Sequence, residues 1–214
     1  MVLSIGLAAV LGATAAGVTF GAVGTSEGPP PLTFETQGAA HAMASAFARP
    51  AANAMPTDVS NRIAAIASAP ETSSDPPGRV VVSEGQQLLN NLGPSSRAIY
   101  AFPTTTGGVC YVITGVAQGC KHSFPVGEPA TIDGDTLYPP SQNGPVSEMG
   151  GLTEDDVTNV QVVVNGVAHE TSFGDDAWYY SFPDSETPPS AVTAVRVTLK
   201  GGAAVTVPTD FVDH

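Results

Sequence analysis

The chain has 214 residues, 42% of them hydrophobic, which suits one or two domains with a real core. Only 13% are charged, and the net charge of -13 comes from having just seven Lys and Arg, scattered without clustering. That balance excludes a groove tracking phosphates, so nucleic acid is not an expected partner, and it argues against basic docking on an anionic membrane.

Residues 1–24 carry no charged side chain. Leu3–Leu11 resembles the apolar stretch of a signal peptide, and Ala13-Thr14-Ala15 offers a small-x-small cleavage site, but the usual Lys or Arg ahead of it is missing. The expectation is a signal peptide or an uncleaved membrane anchor, and either way an exported chain. A membrane contact is expected only through this segment. No cysteine lies near its end, so a lipid anchor is not indicated. A Pro-containing linker, residues 25–38, follows.

Residues 39–93 read as a helical region. The Ala-rich run 39–48 permits helix up to Arg49-Pro50, and Thr57 opens a second helix with Val59, Ile63 and Ile66 at helical spacing. A second linker covers 70–79. From Ser83 the sequence predicts a short capped helix with Leu88, Leu89 and Leu92 on one side and Gly93 as its stop.

Residues 94–151 read as a β-hairpin and a loop region. Arg97–Phe102 is the first strand, and Thr104–Gly108 turns it into a second strand containing Cys110. Lys121–Gly151 is loop-rich. Residues 152–208 form the clearest β-module, with strands at 158–164, 167–173, 177–182, 191–199 and 203–207. Asn165-Gly166 is the two-residue hairpin signal between the first two. Residues 209–214 are a tail. The expected fold class is α+β: short N-terminal helices, a disulfide-stapled hairpin and a small antiparallel immunoglobulin-like β-sheet or sandwich.

Cys110 and Cys120 are the only cysteines. A hairpin centred near Gly115 sets them opposite each other, where Cα atoms lie roughly 4.5 to 5.5 Å apart and a disulfide closes. Free buried thiols and a zinc site with His122 are the alternatives. No Cys-x-x-Cys redox spacing and no fourth zinc ligand accompany them. A disulfide persists only in an oxidising space, so the staple and the export signal support each other.

Catalytic signatures are lacking: there is no nucleophile elbow, phosphate loop or His-Glu-x-x-His, and His41, His122, His169 and His214 are isolated. No catalytic residue and no cofactor is assigned. Three acidic turns, Asp133-Gly134-Asp135, Glu154-Asp155-Asp156 and Asp175-Asp176, are weak calcium candidates, since paired carboxylates in turns also cap backbone. Trp178, Tyr180 and Phe182 share one strand face and are expected in the core. Tyr179 faces the other way and is the one aromatic singled out for ligand binding.

The runs FARPAANAMP, SRAIYAFPTTTGGVCYVIT and GLTEDDVTNVQVVVNGVAHETSFGDDAWYY, with a Gly-Cys pair between the last two, resemble a group of uncharacterised exported proteins of high-GC Gram-positive bacteria. Members of that group combine an apolar N-terminus, a short helical region, a two-cysteine hairpin and a Gly-Leu-x-x-Asp-(Asp/Gly)-Val-x-x-Val strand opening. The likeness covers roughly residues 46 to 208. It implies export and a disulfide, and it brings no activity to carry over. The leading functional expectation is therefore a non-catalytic exported or membrane-anchored envelope protein, its β-rich part binding an unknown protein or envelope component or acting as a spacer. A calcium- or glycan-binding module is the alternative. An extracellular hydrolase using His122 with Glu128, or His169 with Glu170, is the second.

Overall fold

The computed structural model describes residues 38–50, 55–68, 78–134, 147–183 and 189–209. The expected signal or anchor segment, nearly all of both linkers and nearly all of the tail lie outside these residues. Strands dominate, with a few short helices and three antiparallel sheets of four strands each.

The first sheet is a meander of β1 (Gln86–Leu92), β2 (Arg97–Pro103), β3 (Val109–Ile113) and β4 (Ala117–Lys121). β2 and β3 are apolar on both faces because both are covered. Ala98, Tyr100, Phe102, Cys110 and Val112 point one way, under α3 (Thr57–Ser68), whose Val59 and Ile63 are fully buried one turn apart. Ile99, Ala101, Val109, Tyr111 and Ile113 point the other way, toward the second sheet.

Residues 83–92 correct the helix expected there. A single 3-10 turn spans Val82–Glu84, Gly85 is extended, and β1 begins at Gln86. Leu88 and Leu92 are four apart, a spacing that puts them on one side of a helix and also on one side of a strand. The pairing of β1 with β2 decides between the two, overriding local propensity. A break in register near the end of β1 is accommodated by Asn91 at φ 53.

The second sheet, in the order β5-β6-β10-β9, joins β5 (Asp133–Gly134), β6 (Glu148–Leu152), β9 (Ser172–Gly174) and β10 (Ala177–Ser181). The third, in the order β12-β11-β7-β8, joins β7 (Val157–Val164), β8 (Val167–Glu170), β11 (Val192–Leu199) and β12 (Ala204–Pro208). The Asn165-Gly166 turn between β7 and β8 has φ 49 and 79, the positive pair that a two-residue hairpin turn requires. Two expectations change here. The run 167–173 is not one strand: it divides at Thr171 between two sheets. β6 arises within a passage expected to be loop. Its Gly150 and Gly151 hide the strand pattern, yet a Cβ on Gly151 would overlap the Thr131 carbonyl oxygen. A Cβ on Gly150 would stand 2.8 Å from the Trp178 carbonyl oxygen and 3.2 Å from Ile113 Cδ1, so the absent side chain lets the first and second sheets approach.

The sheets stack, with the second in the middle. Its Leu152, Ala177 and Tyr179 meet the first sheet, and its Met149 and Trp178, with Phe182 just beyond β10, meet the valine face of the third (Val160, Val162, Val195, Val197). Two short helices, α1 (Ala39–Ala42) and α2 (Ala44–Phe47), broken at Met43, insert Ala39, Met43 and Ala46 into the core between the first and second sheets. Among the described residues no helix is long and apolar enough to cross a membrane.

Candidate functional site

Cys110 and Cys120 are disulfide-bonded across the β3–β4 ladder as directly paired residues, with Cα atoms 3.9 Å apart. Cys110 is fully buried beneath α3 and Cys120 is half-buried on the edge strand.

Tyr179 requires a correction. It faces away from Trp178 as expected, but into another core rather than toward a ligand: it is 1% exposed, and its hydroxyl donates to Glu148 Oε1 at 2.7 Å. The cause is the stacking of sheets on both faces of β10. Glu148 also receives Arg97, from Nε at 3.2 and 3.0 Å and from Nη2 at 2.8 Å. Burial, followed by the hydrogen bond and charge of Glu148, drives the Tyr179 pKa well above the usual phenol value, so it remains a proton donor to the carboxylate. Sequence reasoning missed this buried Arg97–Glu148–Tyr179 cluster, whose members come from three strands of two sheets. Trp178 is fully buried as expected, donating from its indole to the Thr131 carbonyl at 2.9 Å. Tyr180 is half-buried, with His169 at 5.9 Å and Phe182 edge-on at 4.9 Å between ring centroids.

The acidic turns separate. Asp133 accepts the Tyr111 hydroxyl at 2.5 Å, and burial raises its pKa against the opposing effects of Tyr111, Lys121 and Thr131. Asp135 lies outside the described residues. Asp156 pairs with Lys200 at 3.5 Å, and Asp175 with Arg49 at 2.8 Å. Asp155, from the β6–β7 turn, and Asp176, from the β9–β10 turn, converge on α2. Both Asp155 oxygens lie 3.2 Å from the Ser45 amide, while Asp176 Oδ2 accepts Ser45 Oγ at 2.8 Å and the Ala46 amide at 3.1 Å. Asp176 is only 8% exposed. Burial, and then the neighbouring Asp155 carboxyl group with its charge, overcome the Ser45 and Ala46 hydrogen bonds and push its pKa up to about 6. In chemical terms, the pair fastens a helical segment by accepting its N–H and O–H groups. Among the described residues no three His, Cys, Asp or Glu side chains are grouped to hold a metal ion.

The hydrolase pairs fare differently. Adjacent residues of a strand point to opposite faces, so His169 turns toward Tyr180 while Glu170 accepts Asn159 at 3.1 Å and Gln161 at 2.6 Å on the other face of the third sheet. That pair is not an acid–base couple. His122 is half-buried, its carbonyl accepting the Ala39 amide at 2.7 Å, and Glu128 sits in an exposed turn. His41 is exposed on α1, and His214 lies outside the described residues.

Comparison with known proteins returns no match, whether to a family model, a curated protein or a solved structure.

Proposed function

We propose that the chain is a non-catalytic protein of the cell envelope, exported or membrane-anchored, whose β-rich body is an interaction or spacer domain. The observation that carries this reading is the Cys110–Cys120 disulfide, a bond kept in oxidising compartments and lost to reduction in the cytosol. The apolar, uncharged run 1–24 and the resemblance to exported two-cysteine proteins of high-GC Gram-positive bacteria support the same location. An immunoglobulin-like use of the stacked second and third sheets, rigid around Trp178, belongs to the same reading. The main polar groups brought together by folding hold the body rather than face outward. Glu148 is engaged by Arg97 and Tyr179, and Asp155 and Asp176 are engaged by α2. The partner is an envelope protein or other envelope component.

The test is the intact mass of the full chain recovered from an actinobacterial-type host and alkylated without reduction. A mass short of the N-terminal segment, or a full-length mass in the membrane fraction, with no alkylator on either cysteine, is expected. Two alkylated cysteines in a soluble, unprocessed chain would overturn the reading.

A further inference from the structure

α3 lies on one face of the first sheet and is held there mainly by apolar contact. Its Val59 and Ile63 are each 0% exposed and join one cluster with Tyr100, Phe102, Cys110 and Val112 of the sheet. The backbone hydrogen bonds of a helix close within the helix and tie it to nothing else. Among the described residues, the side-chain hydrogen bond from α3 to the sheet is a long one on an exposed edge, with Arg62 Nη1 donating to Gln118 Oε1 at 3.4 Å. Raising α3 therefore breaks little besides apolar contact, and such an element can open locally without unfolding the rest.

The disulfide lies under this helix. Cys110 is 0% exposed, whereas Cys120, on the edge strand β4, keeps partial exposure. A thiolate breaks a disulfide by attacking one sulfur and expelling the other. Attack at Cys110 is closed off by the enclosure that α3 completes. Attack at Cys120 is less obstructed, but it expels Cys110 Sγ as an anion among Val59, Ile63, Phe102 and Val112, where an unpaired charge is strongly disfavoured. Both routes need the helix to rise, the first to admit the attacking sulfur and the second to let water reach the departing one.

We propose that α3 is a lid that gates thiol–disulfide exchange at Cys110–Cys120, so that the bond resists external dithiols until α3 is displaced. With the lid raised, one thiolate of a dithiol attacks Cys120 Sγ, the S–S bond breaks, and Cys110 Sγ leaves with the electron pair and takes a proton from water. The second thiolate of the dithiol attacks its own sulfur in the mixed disulfide and expels Cys120 Sγ, which is protonated in turn. The dithiol departs oxidised to a cyclic disulfide, and β4 is left joined to β3 by the ladder alone. The inference needs only the bond and the helix above it, and it stands apart from the envelope reading.

The test is the rate at which dithiothreitol reduces the full chain under native conditions, read by intact mass after quenching with an alkylator. Ile63→Ala loosens the lid and is expected to speed reduction about tenfold or more. Val197→Ala loosens the separate core of the second and third sheets and should leave the rate within about twofold. Equal rates in the wild type and Ile63→Ala would mean that attack from the β4 edge needs no lid motion. An acceleration in Val197→Ala that matches its loss of global stability would mean that the bond is reached by global unfolding. Either result overturns the proposal. If Ile63→Ala does not fold, the wild-type chain decides through urea below its unfolding transition. Raising one helix exposes a small surface, so a shallow rise in rate with urea is expected, and a rate unchanged by urea or one with the full unfolding slope overturns the lid.

Discussion

Glu148 illustrates how one buried charge is made tolerable at the residue scale. Its side chain is 7% exposed, and three donor groups, Nε and Nη2 of Arg97 and the hydroxyl of Tyr179, surround it. Removing one partner leaves a charge in a low-dielectric interior, a more severe loss than that of the contact itself. Arg97→Ala is therefore expected to destabilise by about 3 to 5 kcal/mol, and Tyr179→Phe by about 1.5 to 3 kcal/mol, the scale of a hydrogen bond to a charged group. Urea unfolding of both variants measures this. A cost for Arg97→Ala below that of Tyr179→Phe would show that the pair is not what holds Glu148. Asp176 works in the opposite sense. Its folded pKa, about 6, lies above that of an unfolded aspartate, so the folded chain binds a proton that the unfolded chain releases. Its contribution to stability is complete below about pH 3.9 and is lost as the pH rises through about 6. Asp176→Asn lacks that titration. The Tm of the variant minus that of the wild type should rise between pH 4 and 6.5 and level off above, and a constant difference would contradict the assignment.

At the element scale, much of the strand pattern is present in the sequence because burial imposes period two. Val195 and Val197 alternate with Arg196 and Thr198, and Asn165-Gly166 announces its own turn. Two kinds of element escape such reading. β6 is built on two glycines whose role is to leave space for Ile113 and for the backbone of neighbouring strands, and a missing side chain has no period. β1 escapes because Leu88 and Leu92, four apart, satisfy helical and strand spacing equally, and only β2, several residues further on, decides. The distinction is testable at Asn91, which a helix would hold at negative φ and which sits here at φ 53. Asn91→Gly should be neutral or slightly stabilising, whereas Asn91→Val should cost about 1 to 2 kcal/mol, the penalty of forcing a branched side chain into the left-handed region. A glycine variant destabilised as much as the valine variant would argue against the bulged strand. Thermal unfolding of the pair of variants reads both directions.

For the whole molecule, the stacking of three sheets explains why the candidate site was the least legible part of the sequence. Ser45 stands 110 residues from Asp155 and 131 from Asp176, and no spacing rule connects positions that meet only when a helical arm crosses two turns of different sheets. Tyr179 was misplaced for the same reason: alternation gives the face of a strand, but only the layer above decides whether that face meets solvent or a second core. The disulfide was legible because both partners sit in one hairpin, and the same locality limits what it contributes. It closes a short loop in the first sheet and ties the edge strand β4 to β3, while the second and third sheets share a separate apolar core. On the chain-entropy account, a loop of this length stabilises by about 2.5 to 3 kcal/mol, mainly by restricting the unfolded chain. Cys110→Ala with Cys120→Ala should lower stability by about that amount and raise the urea m-value slightly, because the unfolded chain then exposes more surface. If the bond acted chiefly through packing beneath α3, the midpoint would fall with m unchanged, and Val59→Ala in the double variant would cost less than in the parent. Independent losses would place the staple in the unfolded ensemble, and coupled ones would place it in the core that α3 shares with Cys110.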